Sequence, residues 1–226
     1  MEYSYTKEEI AEMQNVQETE DNKYKQIDLW WRGPIGRRYC DRVSNIIDPR
    51  TRTKGFKFLV GGLPIKTILE VGCNRGHNLT ALSMIKGKNY ELHGIDPFGY
   101  ALDKGRENGC LATLVEANVF NIPYPDNYFN LVFTYGVLMH ISSKYLLEAI
   151  RQIYRVSNRY MLIIEYVSNI STQETIVKDS DVEVVCYRDY TNVYPNLRAC
   201  GALNKREFPD VDINKPLFAW LFEKLI

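Results

Sequence analysis

The chain has 226 residues, of which 28 are Lys or Arg and 28 are Asp or Glu, so its formal net charge is zero. A chain of this length predicts one well-buried core, because single cores keep growing to roughly 250 residues. The balanced charge argues against a surface that follows nucleic-acid phosphates, which needs clustered cations. No stretch approaches the roughly 18 apolar residues of a membrane span. We expect a small-molecule substrate, without nucleic acid and without a membrane span.

The five cysteines are widely spaced and include no CxxC pair; they are Cys40, Cys73, Cys110, Cys186 and Cys200. Neither a disulfide framework nor a zinc site is indicated, and no metal-ligand set emerges. The first residues are polar and acidic and lack the basic start and apolar centre of a signal peptide. We therefore expect a reducing, cytoplasmic location.

Residues 1–26 are rich in Glu, Gln, Asn and Lys and predict a mobile or loosely docked helical arm. Residues 27–43 then read IDLWWRGPIGRRYCDRV, where large aromatic side chains stand beside a group of cations. Two interpretations are open. Either the tryptophans anchor the arm on the core, or the segment is a lid over an anionic or carbohydrate ligand that Trp31, Arg32 and Tyr39 contact. We assign residues 1–50 to this arm or lid and residues 51–226 to the main domain.

Strand and helix patterns alternate from residue 67 onward. The strand patterns are KTILEV, YELHGID, CLATLVEA, FNLVFTY and RYMLIIEYV, and the helix patterns are NLTALSMIK, YALDKGREN and SKYLLEAIRQIYRVS. This alternation predicts an α/β fold: a doubly wound, Rossmann-like, mostly parallel sheet of about seven strands with helices on both faces. Ligands of such sheets bind beyond the carboxyl ends of the strands.

The pattern weakens beyond residue 170. DVEVVCY and LFAWLFEKL predict two further strands, the second at an edge or as an antiparallel return. The segment between them, residues 188–216, contains three prolines among many turn formers and predicts a loop.

The sequence EVGCNRGHN, residues 70–78, follows the first strand and precedes the first helix of the alternating series. Its two glycines are four residues apart, which differs from the GxGxxG spacing that cradles a pyrophosphate. Asn74 tolerates left-handed backbone angles, so a tight turn is retained between the glycines. Glu70 would repel a pyrophosphate and could attract an amino group.

Two later residues complete the expected cofactor site. Asp96 ends the second strand, where a carboxylate accepts hydrogen bonds from both ribose hydroxyls of an adenosine. Asn118 follows the third strand, where it could pair with an adenine edge while Val119 or Phe120 flanks the ring. An adenosine that carries a sulfonium and an amino acid tail satisfies these groups together, which predicts S-adenosyl-L-methionine (SAM).

These residues resemble the class I SAM-dependent methyltransferases. The matching segments are ILEVGCNRGHNL, GIDP, EANVFNIPYPDNYFNLVFTYGVLMHI and RYMLIIEY. The resemblance implies that the first loop holds the methionine moiety and that the acid after the second strand holds ribose. The sequence departs from the family pattern with Asn74 for the middle glycine and Asn118 for a frequent Asp. The residues expected to bind the cofactor are Glu70, Gly72, Asn74, Gly76, Asp96, Pro97, Asn118, Val119 and Thr134.

A narrower resemblance covers residues 28–226. LWWRGPIGRRYCDRV, GVLMHI, LLEAIRQIYRVSNRYMLIIEY and the closing AWLFEKL resemble the pseudaminic acid biosynthesis-associated methylases of bacterial surface-glycan gene clusters. The segment between Tyr187 and Phe218 differs from the usual tail of that family. The resemblance implies a sugar-containing acceptor in surface-polysaccharide synthesis.

Methyl transfer needs a nucleophile held in line with the methyl carbon, and an alcohol acceptor also benefits from a general base. Candidates at strand ends are His140, Glu165 and Tyr135. His140 is either a base or a structural residue that starts the next helix. Glu165 either serves the acceptor or catalysis, or forms a salt bridge with the basic segment Arg37–Arg42. Further candidates for acceptor binding are Tyr166, Tyr187 and Arg188.

We therefore expect an enzyme that methylates an oxygen, or a nitrogen, of a nucleotide-activated sugar or glycan precursor, with S-adenosyl-L-homocysteine as the second product. One alternative is a SAM-binding regulatory or scaffold protein without turnover. A third hypothesis, an NAD-dependent oxidoreductase, is disfavoured by the glycine spacing.

Overall fold

The computed structural model describes residues 31–44, 47–167, 175–179, 182–203, 208 and 216–224. The arm predicted over residues 1–26 lies outside the described residues. The helices are α1 (Pro34–Ser44), α2 (Pro49–Val60), α3 (His77–Ser83), α4 (Gly99–Glu107) and α5 (Ser143–Val156), with a 3₁₀ turn at Leu138–His140. The strands are β1 (Thr67–Val71), β2 (Glu91–Asp96), β3 (Thr113–Glu116), β4 (Phe129–Tyr135), β5 (Ser157–Tyr166), β6 (Thr175–Asp179), β7 (Val182–Tyr187), β8 (Leu197–Leu203) and β9 (Leu217–Glu223).

Seven of the strands form one sheet in the order β3-β2-β1-β4-β5-β9-β8. The strands β1 to β5 pair in parallel. Strand β9 runs antiparallel to β5, and β8 runs antiparallel to β9. The predicted Rossmann-like, mostly parallel α/β fold is therefore confirmed.

Both faces of the sheet are covered, because alternate side chains of each central strand enter different parts of the core. On β1, Ile68 packs with residues of α2 and α3, whereas Leu69 packs with residues of α5. On β5, Leu162 and Ile163 divide between the two faces in the same way. The apolar runs in the sequence correspond to strands buried on both sides.

The carboxyl-terminal region agrees with expectation in part. Strand β8 lies within the segment that was expected to be a loop. Strand β9 is an antiparallel return, one of the two expected alternatives, and it lies between β5 and β8. DVEVVCY does form a strand, β7, but it pairs with β6 in a separate two-stranded hairpin.

Helix α2 crosses the expected boundary between residues 50 and 51. It begins at Pro49 behind Asp48, whose carboxylate accepts a hydrogen bond of 2.9 Å from the Arg50 N–H. Such an N-cap and a proline in the first turn are typical of a helix start. Phe56 and Val60 of the same helix are buried in the main core. The helix therefore belongs to the main domain from its first turn.

The strand order places a crevice beside β1. The chain passes from β1 to β2 on one side of the sheet, and returns from β3 to β4 on the other side of β1. Loops that leave the carboxyl ends of β1 and β4 therefore diverge at a topological switch point. The sequence-predicted cofactor loop and the loop after β4 both begin at this point.

Candidate functional site

The loop between β1 and α3 is a tight turn made by three residues with positive φ. The φ angles are 75° at Gly72, 49° at Asn74 and 71° at Gly76. The N–H groups of Gly72 and Cys73 both donate to the Ile95 carbonyl, over 2.8 and 2.9 Å. The left-handed turn predicted at Asn74 is present, and the hydrogen bonds fix the loop to the end of β2.

Gly72 lies where the two crevice loops meet. A Cβ atom at this position would overlap the side chain of Val137, which belongs to the loop after β4. Since φ is also positive there, a side chain would add backbone strain. Glycine therefore allows the backbone of the first loop to approach the second.

Asp96 ends β2 in the crevice and is held by backbone amides. Its Oδ2 accepts a hydrogen bond of 2.8 Å from the Asn74 N–H, and its Oδ1 accepts one of 3.0 Å from the Phe98 N–H. Burial raises the pKa of Asp96 to about 6, although both amide hydrogen bonds lower it. A carboxylate offers about four lone-pair sites, so acceptor capacity remains for ligand hydroxyls.

Asn118 shapes the wall of the crevice after β3. Its side-chain oxygen accepts hydrogen bonds from the N–H groups of Phe120 and Asn121, over 3.0 and 3.1 Å. This local turn places Asn118, Val119 and Phe120 on the lining of one cleft. Val119 and Phe120 are almost fully buried, so they give the wall an apolar surface.

Glu70 is a buried carboxylate beneath the cofactor loop. Its Oε1 accepts a hydrogen bond of 2.6 Å from the Asn78 side chain, which also accepts one from Arg52. Among the described residues, Oε2 of Glu70 has no hydrogen-bond partner. Burial raises the pKa of Glu70 to about 8, against the lowering effects of Asn78 and Arg52. The structure places Glu70 behind the loop and outside the cleft lining.

Aromatic side chains form the opposite side of the cleft. The Trp31 ring lies edge-to-face against His140, with 4.9 Å between ring centroids, and against Tyr39, with 5.4 Å. The guanidinium of Arg52 lies 4.4 Å from the centre of the Tyr135 ring. Trp31, Tyr39, Tyr135 and His140 all line the same cleft as Asp96.

Polar and charged contacts hold helix α1 against the cofactor loop and against α4. The Arg75 guanidinium donates to Asp41 over 2.7 Å and contacts the Cys40 sulfur over 3.0 Å. The Tyr100 hydroxyl donates to the same carboxylate over 2.9 Å, and Arg37 stacks on the Tyr100 ring at 4.5 Å. The segment that carries Trp31 and Tyr39 is thus held over the mouth of the crevice.

Glu165 lies behind the loop after β4. Its Oε1 accepts hydrogen bonds from the N–H groups of Val137 and Leu138, over 2.9 and 2.8 Å, and its Oε2 accepts one from Met139 over 3.3 Å. Burial raises the pKa of Glu165 to about 7, while these amides lower it. The side chain is fully buried and does not line the cleft. This placement corrects both expected roles: its partners are loop amides instead of an acceptor or the arginines of α1.

Arg188 also contacts this loop instead of the cleft. Its guanidinium donates to the Leu138 carbonyl over 3.1 Å and to the Ser143 hydroxyl over 3.0 Å. It is buried and outside the cleft lining, which differs from the expected contact with the acceptor. Arg32, also expected at the acceptor, forms an exposed ion pair of 3.4 Å with Glu116 beside the cleft.

The cleft brings together ten of the residues expected to form the site. They are Trp31, Tyr39, Gly72, Asn74, Asp96, Pro97, Asn118, Val119, Tyr135 and His140. The other expected residues do not line it: Glu70, Gly76 and Thr134 for the cofactor, Glu165 for catalysis, and Arg32, Tyr166, Tyr187 and Arg188 for the acceptor. Phe120, which was expected beside the adenine ring, also lines the cleft, and the lining residues that were not assigned to the site are Val71, Ala117, Gly136, Val137 and Ile141.

The chemistry of the cleft fits the expected cofactor. Asp96 offers an acceptor for ribose hydroxyls, Val119 and Phe120 offer an apolar wall for a purine, and the unpartnered Glu70 oxygen lies behind the loop expected to hold the amino acid tail. A separate groove beside Tyr154 and Tyr194 lies at the opposite edge of the parallel strands.

In the part of the chain that the structure describes, no group of three or more His, Cys, Asp or Glu side chains is arranged to hold a metal ion. No helix within the described ranges has the length and apolar character that crossing a membrane requires.

Residues 69–160 match the family model described as a methyltransferase domain. No curated protein is significantly similar to the chain in sequence. The matched residues include the cofactor loop, Asp96, Asn118 and His140. The match contradicts the NAD-dependent oxidoreductase hypothesis.

Several solved structures share the fold. One is 1,6-didemethyltoxoflavin-N1-methyltransferase from Burkholderia thailandensis with bound S-adenosylhomocysteine, at 11% identity and a TM-score of 0.66, covering 94% of this chain and 93% of that chain. Another is a SAM-dependent methyltransferase from Leishmania major, at 12% identity and a TM-score of 0.66, covering 96% and 90%. A third is the [4+2]-cyclase SpnF, at 15% identity and a TM-score of 0.57, covering 82% of each chain. At these identities the likeness shows the fold and not a shared substrate.

The match to a methyltransferase domain and the shared fold support a SAM-dependent methyltransferase with SAM as its cofactor. The predicted enzyme class and cofactor are thereby confirmed.

Proposed function

We propose that this methyltransferase acts on an oxygen, or a nitrogen, of a nucleotide-activated sugar or glycan precursor in bacterial surface-polysaccharide synthesis. The observation that carries the proposal is the aromatic wall of Trp31 and Tyr39, which meets His140 in the cofactor cleft. The narrower sequence resemblance to methylases of surface-glycan gene clusters supports the same acceptor class.

An aromatic wall suits a ring-shaped acceptor of mixed polarity. Trp and Tyr side chains offer broad apolar faces and a polar edge, as do many sites that bind small molecules. None of the cleft-lining side chains among the described residues is Lys or Arg. The reacting part of the acceptor is therefore expected to be uncharged, as a sugar ring is.

The anionic part of a nucleotide-activated sugar would lie outside the cleft, over α1. Arg32, Arg37 and Arg38 are exposed on this segment, next to Trp31 and Tyr39. Guanidinium groups bind phosphate oxygens by paired hydrogen bonds, so they suit a diphosphate better than a neutral ligand. This arrangement supports a nucleotide-linked acceptor over a free sugar.

His140 is proposed as the group that accepts the proton of the acceptor hydroxyl. SAM, when bound, would supply a methyl group on its sulfonium. The acceptor oxygen would attack the methyl carbon as the carbon–sulfur bond breaks, S-adenosyl-L-homocysteine would leave, and the hydroxyl proton would pass to His140. A histidine is suited to this task near neutral pH. Tyr135 lines the cleft on the same side and is proposed to orient the acceptor. A neutral amine needs less help from a base, so His140 favours oxygen over nitrogen.

The second candidate is a SAM-binding protein without methyl transfer. It is retained because the fold is shared with a protein named as a [4+2]-cyclase, and a fold does not imply one reaction. The scaffold hypothesis predicts tight SAM binding without a methylated product.

The test is transfer of an isotope-labelled methyl group from SAM to a panel of nucleotide-activated sugars and their free-sugar counterparts. We expect label in at least one nucleotide-activated sugar and much less in its free form. The variant Glu107→Gln, in an exposed ion pair on α4, is the matched control and should retain the wild-type rate. Absence of labelled product across the panel, with SAM binding intact, would favour the scaffold hypothesis.

A further inference from the structure

The turn that carries His140 is held from two sides at a single residue, Leu138. The N–H of Leu138 donates to Glu165 Oε1 over 2.8 Å, and the carbonyl of Leu138 accepts from the Arg188 guanidinium over 3.1 Å. His140 closes the turn with a backbone hydrogen bond of 3.0 Å to the Val137 carbonyl. The Glu165 carboxyl group and the Arg188 guanidinium therefore bind the N–H and the carbonyl of the same residue.

Glu165 accepts hydrogen bonds from three consecutive backbone amides. Val137, Leu138 and Met139 all donate their N–H groups to Glu165. The first amides of a helical turn have no partner inside the turn, so a carboxylate can satisfy them. A buried carboxylate is costly unless it is hydrogen-bonded, and here the bonds come from this one loop. The position of Glu165 and the position of the loop thus depend on each other.

Arg188 connects the same turn to the next helix, α5. Arg188 joins the Leu138 carbonyl to the hydroxyl of Ser143, which begins α5. Tyr190 lies close to both charged groups: burial raises the pKa of its hydroxyl, the Glu165 charge adds to this rise, and Arg188 opposes it. Thr134 completes the surroundings with a hydroxyl 3.4 Å from Glu165 Oε1.

We propose that Glu165 and Arg188 are positioning residues that hold the Leu138–His140 turn so that the His140 imidazole faces the acceptor side of the cleft. They touch neither cofactor nor acceptor and act through His140. The role of His140 at the acceptor rests on the proposed function, whereas the clamp on the turn is a property of the chain alone. Small displacements of a reacting group can cost about 100-fold in rate, so such a clamp matters for turnover.

The first experiment observes His140 without acceptor or cofactor. The chain has three histidines, so ¹⁵N-histidine NMR gives a spectrum that is simple to assign with His140→Gln. Glu165→Gln keeps the shape of the side chain but replaces one acceptor oxygen with an NH₂ group that cannot accept from the amides. We expect the His140 signal to shift or broaden, and the signals of His77 and His93 to stay in place.

Two further variants distinguish a local effect on the turn from a general loss of folding. Glu223→Gln removes a carboxylate that pairs with Arg159 and Arg198 away from the turn, and it should leave all three signals unchanged. Arg188→Lys keeps the charge but cannot reach both the Leu138 carbonyl and Ser143, so it should move the His140 signal alone. If Glu165→Gln fails to fold, the His140 signal of Arg188→Lys tests the proposal in its place. An unmoved His140 signal in a folded clamp variant would overturn the proposal.

The second experiment asks whether the clamp acts through His140. In the transfer assay, Glu165→Gln should lower kcat about 100-fold while SAM affinity stays within about twofold. In a His140→Gln background, the same change should have little further effect, because residues that act as one unit are not additive. A full additional loss would overturn the proposal. If the wild-type chain transfers no methyl group, the proposed function is wrong. The NMR result still tests whether Glu165 and Arg188 hold the turn of His140.

Discussion

The backbone N–H of Asn74 donates to the Asp96 carboxylate over 2.8 Å, which joins the cofactor loop to the acid at the end of β2. Asn74 makes this bond from a left-handed conformation, with φ at 49°. The two residues are 22 positions apart in sequence and lie on the same cleft. The hydrogen bond therefore joins the loop and the acid into one part of the cleft wall.

Replacing Asp96 tests the ribose contact. Asp96→Ala removes an acceptor for ribose hydroxyls, so SAM binding should weaken by about 1 to 3 kcal/mol, as expected for the loss of one or two hydrogen bonds. Isothermal titration calorimetry measures this directly. Asp103→Ala, which breaks an exposed ion pair on α4, serves as the control and should bind SAM as the wild type does. Unchanged affinity in Asp96→Ala would refute the ribose role.

The pH dependence of SAM binding should report the same carboxyl group. Burial raises the pKa of Asp96 from its ordinary 3.8 to about 6, and ribose hydroxyls donate best to the ionised form. Affinity should therefore weaken as the pH falls below about 6, approaching tenfold per pH unit. Glu70, with a pKa of about 8, stays protonated throughout this window. A flat affinity from about pH 7 to pH 5 in the wild type, or the same slope in Asp96→Ala, would contradict the assignment.

Gly72 should tolerate no side chain. Gly72→Ala places a methyl group against Val137 at a residue with φ of 75°, so it should lose both stability and SAM affinity. Gly109→Ala is a matched control, because its φ is 81° and nothing lies within 4 Å of the added Cβ. Both variants should lose about 1–2 kcal/mol of stability to backbone strain. Only Gly72→Ala should also bind SAM weakly; an equal effect of the two variants on SAM binding would show that contact with Val137 is unimportant.

Glu70 should make the unliganded chain less stable as the pH rises. Burial raises its pKa from an ordinary 4.5 to about 8, so the folded chain holds a proton that the unfolded chain releases across this interval. Protonated Glu70 therefore makes its full contribution to the free energy of unfolding below about pH 4.5. This contribution is lost as the pH rises through about 8. Differential scanning calorimetry should show a falling Tm over this range, with a shallower fall in Glu70→Gln. The exposed Glu107→Gln should follow the wild type, and identical slopes in all three proteins would exclude Glu70 as the source.

The parallel part of the fold and much of the cleft lining could be predicted because their signals are local. Apolar runs predicted β1, β4 and β5, and EVGCNRGHN predicted the turn whose positive φ angles the structure shows. Strand β8 gave no such signal, because it is an edge strand whose middle residues are exposed on both faces. It needs only backbone pairing with β9, which does not require an apolar pattern.

The roles of Glu165 and Arg188 could not be read from sequence for a different reason. Glu165 lies in β5 and Arg188 directly follows β7. A charged residue at such a position is compatible with ligand binding or with internal hydrogen bonds. Their shared partner, Leu138, lies 27 and 50 positions away from them. Only the packing of β5 and the segment after β7 against the β4 loop reveals that they hold the turn of His140.

The measurement that tests the central claim most directly is calorimetric titration of the full chain with SAM, with NAD as the competing cofactor. The cleft formed by Gly72, Asp96 and Asn118 predicts saturable binding of one SAM per chain, loss of affinity in Asp96→Ala, and no binding of NAD. Binding of NAD without binding of SAM would contradict the assignment.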